Sequence, residues 1–197
     1  VVREVAPEDL VSRKRPRLVP EKYQPYKPDK DLVPPMAIAG EGYRFHVTGL
    51  THDEKGYPAM SAEAQDKLIR RLVDKIRLNK KDIIKYEETG TEDADIIVFA
   101  YGITARIARR AVQQARDEGI RAGLLRPITI WPFPEERVRQ LGKQAKAFVV
   151  PEINYGQIVF EVERCAGSKV RTVLVPNMGG SVHLPETILE AIKEAIQ

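Results

Sequence analysis

The 197-residue sequence has a single cysteine, Cys165. One thiol excludes an internal disulfide and cannot hold an iron–sulfur cluster, which takes four thiolates. That usage fits a reducing compartment such as the cytoplasm. Long apolar runs are missing too. The longest, residues 96–101, falls far short of the roughly 20 residues that a membrane-spanning helix needs, and no signal-peptide pattern opens the chain. Strong charge bias is absent. Charged residues make up 30% with the signs interspersed, and the formal net charge is +4. With no basic element interleaved with aromatics outside the N-terminal arm, nucleic acid is not an expected partner. No G-x-G-x-x-G, P-loop, H-E-x-x-H, C-x-x-C or G-x-S-x-G motif occurs. His46, His52 and His183 do not share metal-ligand spacing, so no metal site is expected. What is present is 43% apolar residues, enough for a real core. The sequence starts at Val1 without a methionine, as expected of a piece of a longer polypeptide.

Residues 1–45 stand apart in composition. Seven of the 14 prolines lie between Pro7 and Pro35 among Lys, Arg, Tyr and Asp. Proline fixes φ and holds its predecessor extended, which predicts an extended arm without a core of its own. Its run "RKRPR", residues 13–17, reads either as a phosphate-binding or import patch or as a solvated linker; the linker is the favoured reading. Residues 46–197 form the second expected region: a loop at 46–60, a long helix at about 61–78, and an alternating unit at about 83–197. Ser61 suits an N-cap, and Leu68, Ile69, Leu72, Val73 and Ile76 make an apolar stripe expected to pack on the domain's own sheet.

From residue 83 onward the pattern alternates. Strands are predicted at 95–101, 121–130, 147–153 and 171–176. Helices are predicted at 103–119, 134–144, 156–166 and 184–196, and an extra edge strand near 83–88. Strands alternating with helices at this spacing predict an α/β fold with a mostly parallel sheet covered on both faces.

In such sheets, ligands bind beyond the carboxyl ends of the strands. Here those ends carry "YGIT" (101–104), "PITIWPFP" (127–134), "PEINYGQ" (151–157) and "PNMGGS" (176–181). Gly102 with Thr104 before a helix offers N–H groups to an anion, but a lone glycine is no nucleotide motif. Asn154 and Gln157 are interface or substrate-cleft candidates, although they also have capping-box spacing, a structural role that would account for both. Glu152 ends a strand with no acid–base partner near it in sequence. Ser181 lacks a nucleophile elbow, and Cys165 lies on a helix face expected to be buried. The loop "VTGLTHDEKGYPAM", residues 47–60, is the most polar candidate. Thr51, His52, Asp53, Glu54 and Lys55 read as a catalytic loop, an interface or substrate-cleft loop, or a connector. These groups are costly to bury unpaired, so they are expected at the surface, and the interface reading is favoured. No residue is assigned a catalytic or cofactor-binding role.

Five ordered segments carry a resemblance: "GEGYRFHVTGLTHDEKGYP" (40–58), "DADIIVFAYGITAR" (93–106), "LLRPITIWPFP" (124–134), "EINYGQ" (152–157) and the closing Gly-Gly turn. Together they resemble the alpha subunit of 2-oxoacid:ferredoxin oxidoreductases, leaning to the 2-oxoglutarate branch, over essentially the whole chain. Pro151 and Thr51 depart from the family's pattern, which usually has an aliphatic and an acidic residue there. The resemblance implies a linker followed by a transketolase C-terminal-like domain. It places the N-terminal domain, which helps hold the pyrimidine end of thiamine diphosphate, outside this chain. The intact enzyme so implied oxidatively decarboxylates a 2-oxoacid on thiamine diphosphate, makes an acyl-CoA from coenzyme A, and reduces ferredoxin through iron–sulfur clusters. A beta subunit would supply the pyrophosphate site and a cluster, and a small ferredoxin-like subunit further clusters. For this chain the expectation is an assembly role with no cofactor of its own. The alternative is a small-molecule or anion-binding module acting through the strand carboxyl ends.

Overall fold

The runs rich in Ile, Val, Leu and Phe become the centre of a five-stranded sheet. In the computed structural model, which describes residues 4–196, the elements are α1 (Ala62–Arg77), α2 (Lys80–Ile83), β1 (Tyr86–Thr89), β2 (Ile96–Phe99) and α3 (Gly102–Asp117). They continue with β3 (Ala122–Pro127), α4 (Glu135–Gly142), β4 (Ala147–Glu152), α5 (Ile158–Ala166), β5 (Arg171–Pro176) and α6 (Pro185–Ile196). The strand order is β1-β3-β2-β4-β5. β2, β3, β4 and β5 run parallel, and β1 is antiparallel on the outer edge of β3. The extra edge strand and the mostly parallel sheet are therefore as the alternation implied.

Every residue of β2 and β4 is buried, which is why their sequences show no polar alternation. Alternate side chains feed two cores. Ile96, Val98, Leu124 and Val149 pack with Ala108 and Val112 of α3 and Ile188 and Ile192 of α6. Ile97, Phe99, Leu125, Phe148 and Val150 pack with Val138 and Leu141 of α4 and Val159 and Val162 of α5. Burying each large side chain contributes roughly 1.5–3 kcal/mol, so the two layers are what hold the sheet. The edge strand β1 is charged: Glu87 pairs with Arg126 at 2.7 Å and Glu88 with Arg137 at 2.8 Å. Charges of this kind discourage edge-to-edge pairing.

By compactness the chain divides into residues 1–79 and 80–197. Composition changes near residue 45, but chain packing changes at Asn79. Loop 46–60 and α1 lie in the first of these units. Ser61 does cap α1, accepting from the Ala64 N–H at 3.1 Å. None of the helix's residues is buried; Ile69 and Leu72 of the apolar stripe are exposed. Within this first unit the arm has a small aromatic cluster. Tyr23 meets Tyr43 and Phe45 edge-on at 5.0 and 5.5 Å, and its hydroxyl donates to the Pro35 carbonyl at 2.9 Å.

Candidate functional site

The connection from β2 leads to β3 on one side, and the connection from β3 returns to β4 on the other. The carboxyl ends of β2 and β4 therefore form the switch point where an open α/β sheet holds its ligand. Tyr101 and Gly102 lie at one end, and Glu152, Asn154 and Gly156 at the other. Glu152 is 1% exposed. Its carboxylate accepts from the N–H groups of Gln157 at 3.1 Å, Ile158 at 3.1 Å and Val159 at 2.9 Å. The Asn154 amide adds a bond at 3.1 Å and the Tyr101 hydroxyl one at 3.3 Å. Burial works to raise the Glu152 pKa, but the N–H groups of Ile158, Val159 and Gln157 and the Asn154 amide together outweigh it and hold the carboxyl below its ordinary range. Burial and the Glu152 charge push the Tyr101 phenol up.

This arrangement corrects the expected capping box. Gln157 sits at the N-cap of α5 but its side chain makes no cap bond. Asn154 instead closes a turn, its Oδ1 accepting from the Gly156 N–H at 2.7 Å. The cap comes from Glu152, at the end of the preceding strand. A helix N-terminus attracts anions because its first N–H groups are unpaired and its dipole is positive there. At α5 the chain fills that position with its own carboxylate. Elsewhere at the strand ends, Thr104 is buried and does not present its hydroxyl at the surface. Ser181 bonds to Asn177 at 3.2 Å. The buried His183 bonds through Nε2 to the Val175 carbonyl at 2.8 Å. Cys165 is buried as expected, and burial pushes its thiol up, away from the reactive thiolate.

Loop 46–60 is a folded turn whose polar groups bond within the first unit. Of the five candidates Lys55 is exposed, and Thr51, His52, Asp53 and Glu54 are half-buried. Thr51, His52, Asp53 and Glu54 each find a partner. Asp53 Oδ1 accepts from the N–H groups of Lys55 at 2.9 Å and Tyr57 at 3.0 Å, an Asx turn. Thr51 donates to Gln65 and Glu54 pairs with Lys67, both on α1. Lys67 holds the Glu54 carboxyl below its ordinary range. His52 bonds through Nδ1 to the Leu50 carbonyl at 2.9 Å, and its ring lies 4.1 Å from that of Tyr26 in the arm. His52 and Asp53 bond to different partners and make no acid/base pair with each other. Gly56 is buried at φ +88°, and a Cβ there would lie 2.1 Å from the His46 carbonyl oxygen. The outer side of the loop shows Val47, Leu50, Tyr57 and Met60.

Sequence reasoning missed two parts of these sites. The first is the Glu152 cap, signalled only by an acid shortly before a helix that has no good N-cap residue. The second is the clasp of Tyr26 on the loop, which nothing in the local pattern announces.

Comparison with known proteins follows the same lines. Residues 94–188 match pyruvate:ferredoxin oxidoreductase core domain II. The chain is 46% identical over 184 residues to the 2-oxoglutarate synthase subunit KorA of Methanocaldococcus jannaschii, covering 93% of this chain and 49% of that protein. The chain belongs to the 2-oxoacid:ferredoxin oxidoreductase alpha-subunit family. Within the family it is also 40% identical over 123 residues to the ketoisovalerate oxidoreductase subunit VorB of Methanothermobacter marburgensis, covering 62% of this chain and 35% of that one. A solved 2-oxoglutarate:ferredoxin oxidoreductase from Magnetococcus marinus, with 2-oxoglutarate, coenzyme A and succinyl-CoA bound, matches with a TM-score of 0.80 at 29% identity. That match covers 100% of this chain and 35% of the solved one. The chain spans about half the length of the curated KorA relative, 49%.

The family implies thiamine diphosphate and iron–sulfur clusters, and the residues at the strand carboxyl ends fit neither. A cluster needs four thiolates, and the sequence has one cysteine, which is buried. The pyrophosphate of thiamine diphosphate needs a cation or a cradle of donors. Among the described residues no three His, Cys, Asp or Glu side chains are grouped to hold a metal ion, and the N-terminus of α5 is filled by Glu152.

Proposed function

We propose that this chain is the second-domain part of the alpha subunit of a thiamine-dependent 2-oxoacid:ferredoxin oxidoreductase, that 2-oxoglutarate is its oxoacid, and that its own role is to shape and assemble the complex. In the whole enzyme the oxoacid loses carbon dioxide, the acyl group passes to coenzyme A, and two electrons reach ferredoxin through iron–sulfur clusters. Thiamine diphosphate would sit between an N-terminal domain of the alpha subunit and the beta subunit, and a small ferredoxin-like subunit would carry further clusters. The setting is the cytoplasm, in keeping with the lone reduced cysteine. Among the described residues no helix is long and apolar enough to cross a membrane.

One observation carries the assembly role. The strand carboxyl ends, where such a sheet normally displays its chemistry, display apolar side chains. Trp131 is 65% exposed, Tyr155 78% and Leu184 64%, with Ile128, Ile153 and Met178 alongside. Glu152, Asn154 and Tyr101 at the same end are bonded within the domain. Exposed aromatic anchors beside a satisfied polar layer make a protein-docking surface. Loop 46–60 supports the same reading, since its acids brace the turn and its outer face is apolar. The anion-binding alternative is disfavoured by the carboxylate already seated at α5.

The test is association. Trp131→Glu and Tyr155→Glu replace exposed side chains, so the fold should hold by circular dichroism. Each variant should bind the beta subunit about thirtyfold more weakly, the loss expected for an aromatic anchor at an interface. Unchanged association for both would reject docking through this surface.

A further inference from the structure

We propose that the proline-rich arm binds a nucleoside polyphosphate in a cavity of its own. The cavity lies wholly within residues 14–35 and has a volume of about 780 Å³. That is within the roughly 300–1,000 Å³ of small-molecule sites. Its lining has two parts of different chemistry.

The first part is cationic. Lys14 is committed to the frame: it pairs with Asp29 and Asp31, each at 2.8 Å, and bonds to the Val33 carbonyl at 3.2 Å. The Met36 N–H donates to the Lys14 carbonyl at 2.8 Å, which closes the segment on itself. This brace uses both acids of the lining. Arg15, Arg17, Lys27 and Lys30 are exposed and have no acidic partner among the described residues. Four cationic side chains without acidic partners thus line one concavity. A chain of phosphates satisfies several at once, with arginine forks suited to phosphate oxygens.

The second part is apolar and rigid. Pro16, Leu18, Pro28 and Pro35 line the cavity with Tyr23. The Tyr23 hydroxyl donates to the Pro35 carbonyl at 2.9 Å and accepts from the Ala37 N–H at 3.3 Å, and Tyr43 buttresses the ring. A fixed aromatic wall is useful to a flat ring system and of no use to a bare polyphosphate. Phosphates and a planar base in one ligand of this size describe a nucleotide. The arm's basic run, for which the sequence alone favoured a solvated linker, thereby acquires a specific ligand.

The experiment is calorimetry on the 197-residue chain at low salt with three probes: ATP, inorganic tripolyphosphate and adenosine. ATP should bind, tripolyphosphate at least tenfold more weakly, and adenosine not measurably. Arg15→Ala with Arg17→Ala should weaken ATP at least tenfold, and Lys27→Ala with Lys30→Ala similarly. These side chains make no bond in the frame, so both double variants should melt like the parent. The inference is overturned if ATP does not bind, if tripolyphosphate binds as well as ATP (a charged patch only), or if both double variants retain full affinity. Displacement of ATP by an acidic peptide of the beta subunit but not by other nucleotides would also overturn it, by making the occupant a protein segment.

Discussion

Replacing Glu152 tests how the switch point is built. In Glu152→Ala the N–H groups of Gln157, Ile158 and Val159 lose their acceptor in a buried setting. A buried donor left without its acceptor costs about 1–3 kcal/mol. Glu152→Gln is the sharper probe because it keeps the shape. One amide oxygen can still accept, but the amide nitrogen now faces donors and the charge at the helix end is gone. The expected loss is about 2 kcal/mol, combining the helix-dipole contribution with the difference between charged and neutral hydrogen bonds. With a urea slope of about 2 kcal/mol/M, the midpoint of the sheet unit falls by about 1 M. The pH dependence has a definite sign. The folded-state pKa of Glu152 is depressed, so its contribution is present above the ordinary glutamate range, about 4.3, and is lost as pH falls through the lower folded value. The gap between parent and Glu152→Gln should therefore shrink on acidification below that range. Urea titrations followed by circular dichroism at neutral and acid pH measure both effects. A Glu152→Gln loss under about 0.5 kcal/mol at neutral pH, or a gap that widens in acid, would refute the reasoning.

Asp53→Ala removes the acceptor for Lys55 and Tyr57, so both amides should exchange about tenfold faster or more while Asp53→Asn preserves most of their protection. In the full complex, Asp53→Ala and His52→Ala should weaken assembly or raise the substrate requirement and leave thiamine diphosphate binding intact; lost turnover with normal assembly and affinity would give the loop a chemical role. Gly56→Ala forces a Cβ to within 2.1 Å of the His46 carbonyl at a φ of +88°, and should cost the first unit about 2–3 kcal/mol in thermal or urea unfolding. Amides of residues 4–40 in the isolated chain should exchange rapidly apart from those bonded in the Lys14 and Tyr23 frames; strong protection along the whole arm would contradict an arm made to lie on a partner.

The sheet was legible because its causes are local. Uninterrupted apolar runs at 96–101 and 147–150 can only be central strands when helices with apolar faces separate them. Ser61 before a periodic run announced its helix by the same token. The Glu152 cap was not legible, because a carboxylate reaching from a strand end to N–H groups five to seven residues on depends on the loop's path, and the nearer Asn154 offered a simpler local solution. The bonding of Thr51, Asp53 and Glu54 was not legible for a related reason. Their partners Gln65 and Lys67 lie a helix entry away, and Tyr26 comes from the arm.

The central claim is that this chain assembles an oxidoreductase without holding its cofactor. It is tested most directly by calorimetry of residues 1–197 with thiamine diphosphate and magnesium, alongside a turnover assay with 2-oxoglutarate, coenzyme A and ferredoxin. The account predicts no measurable heat of binding and no turnover for the chain alone, with both restored when the thiamine-binding domain and the beta subunit are supplied. Micromolar binding of thiamine diphosphate to the isolated chain would contradict it and return the strand carboxyl ends to consideration as a ligand site.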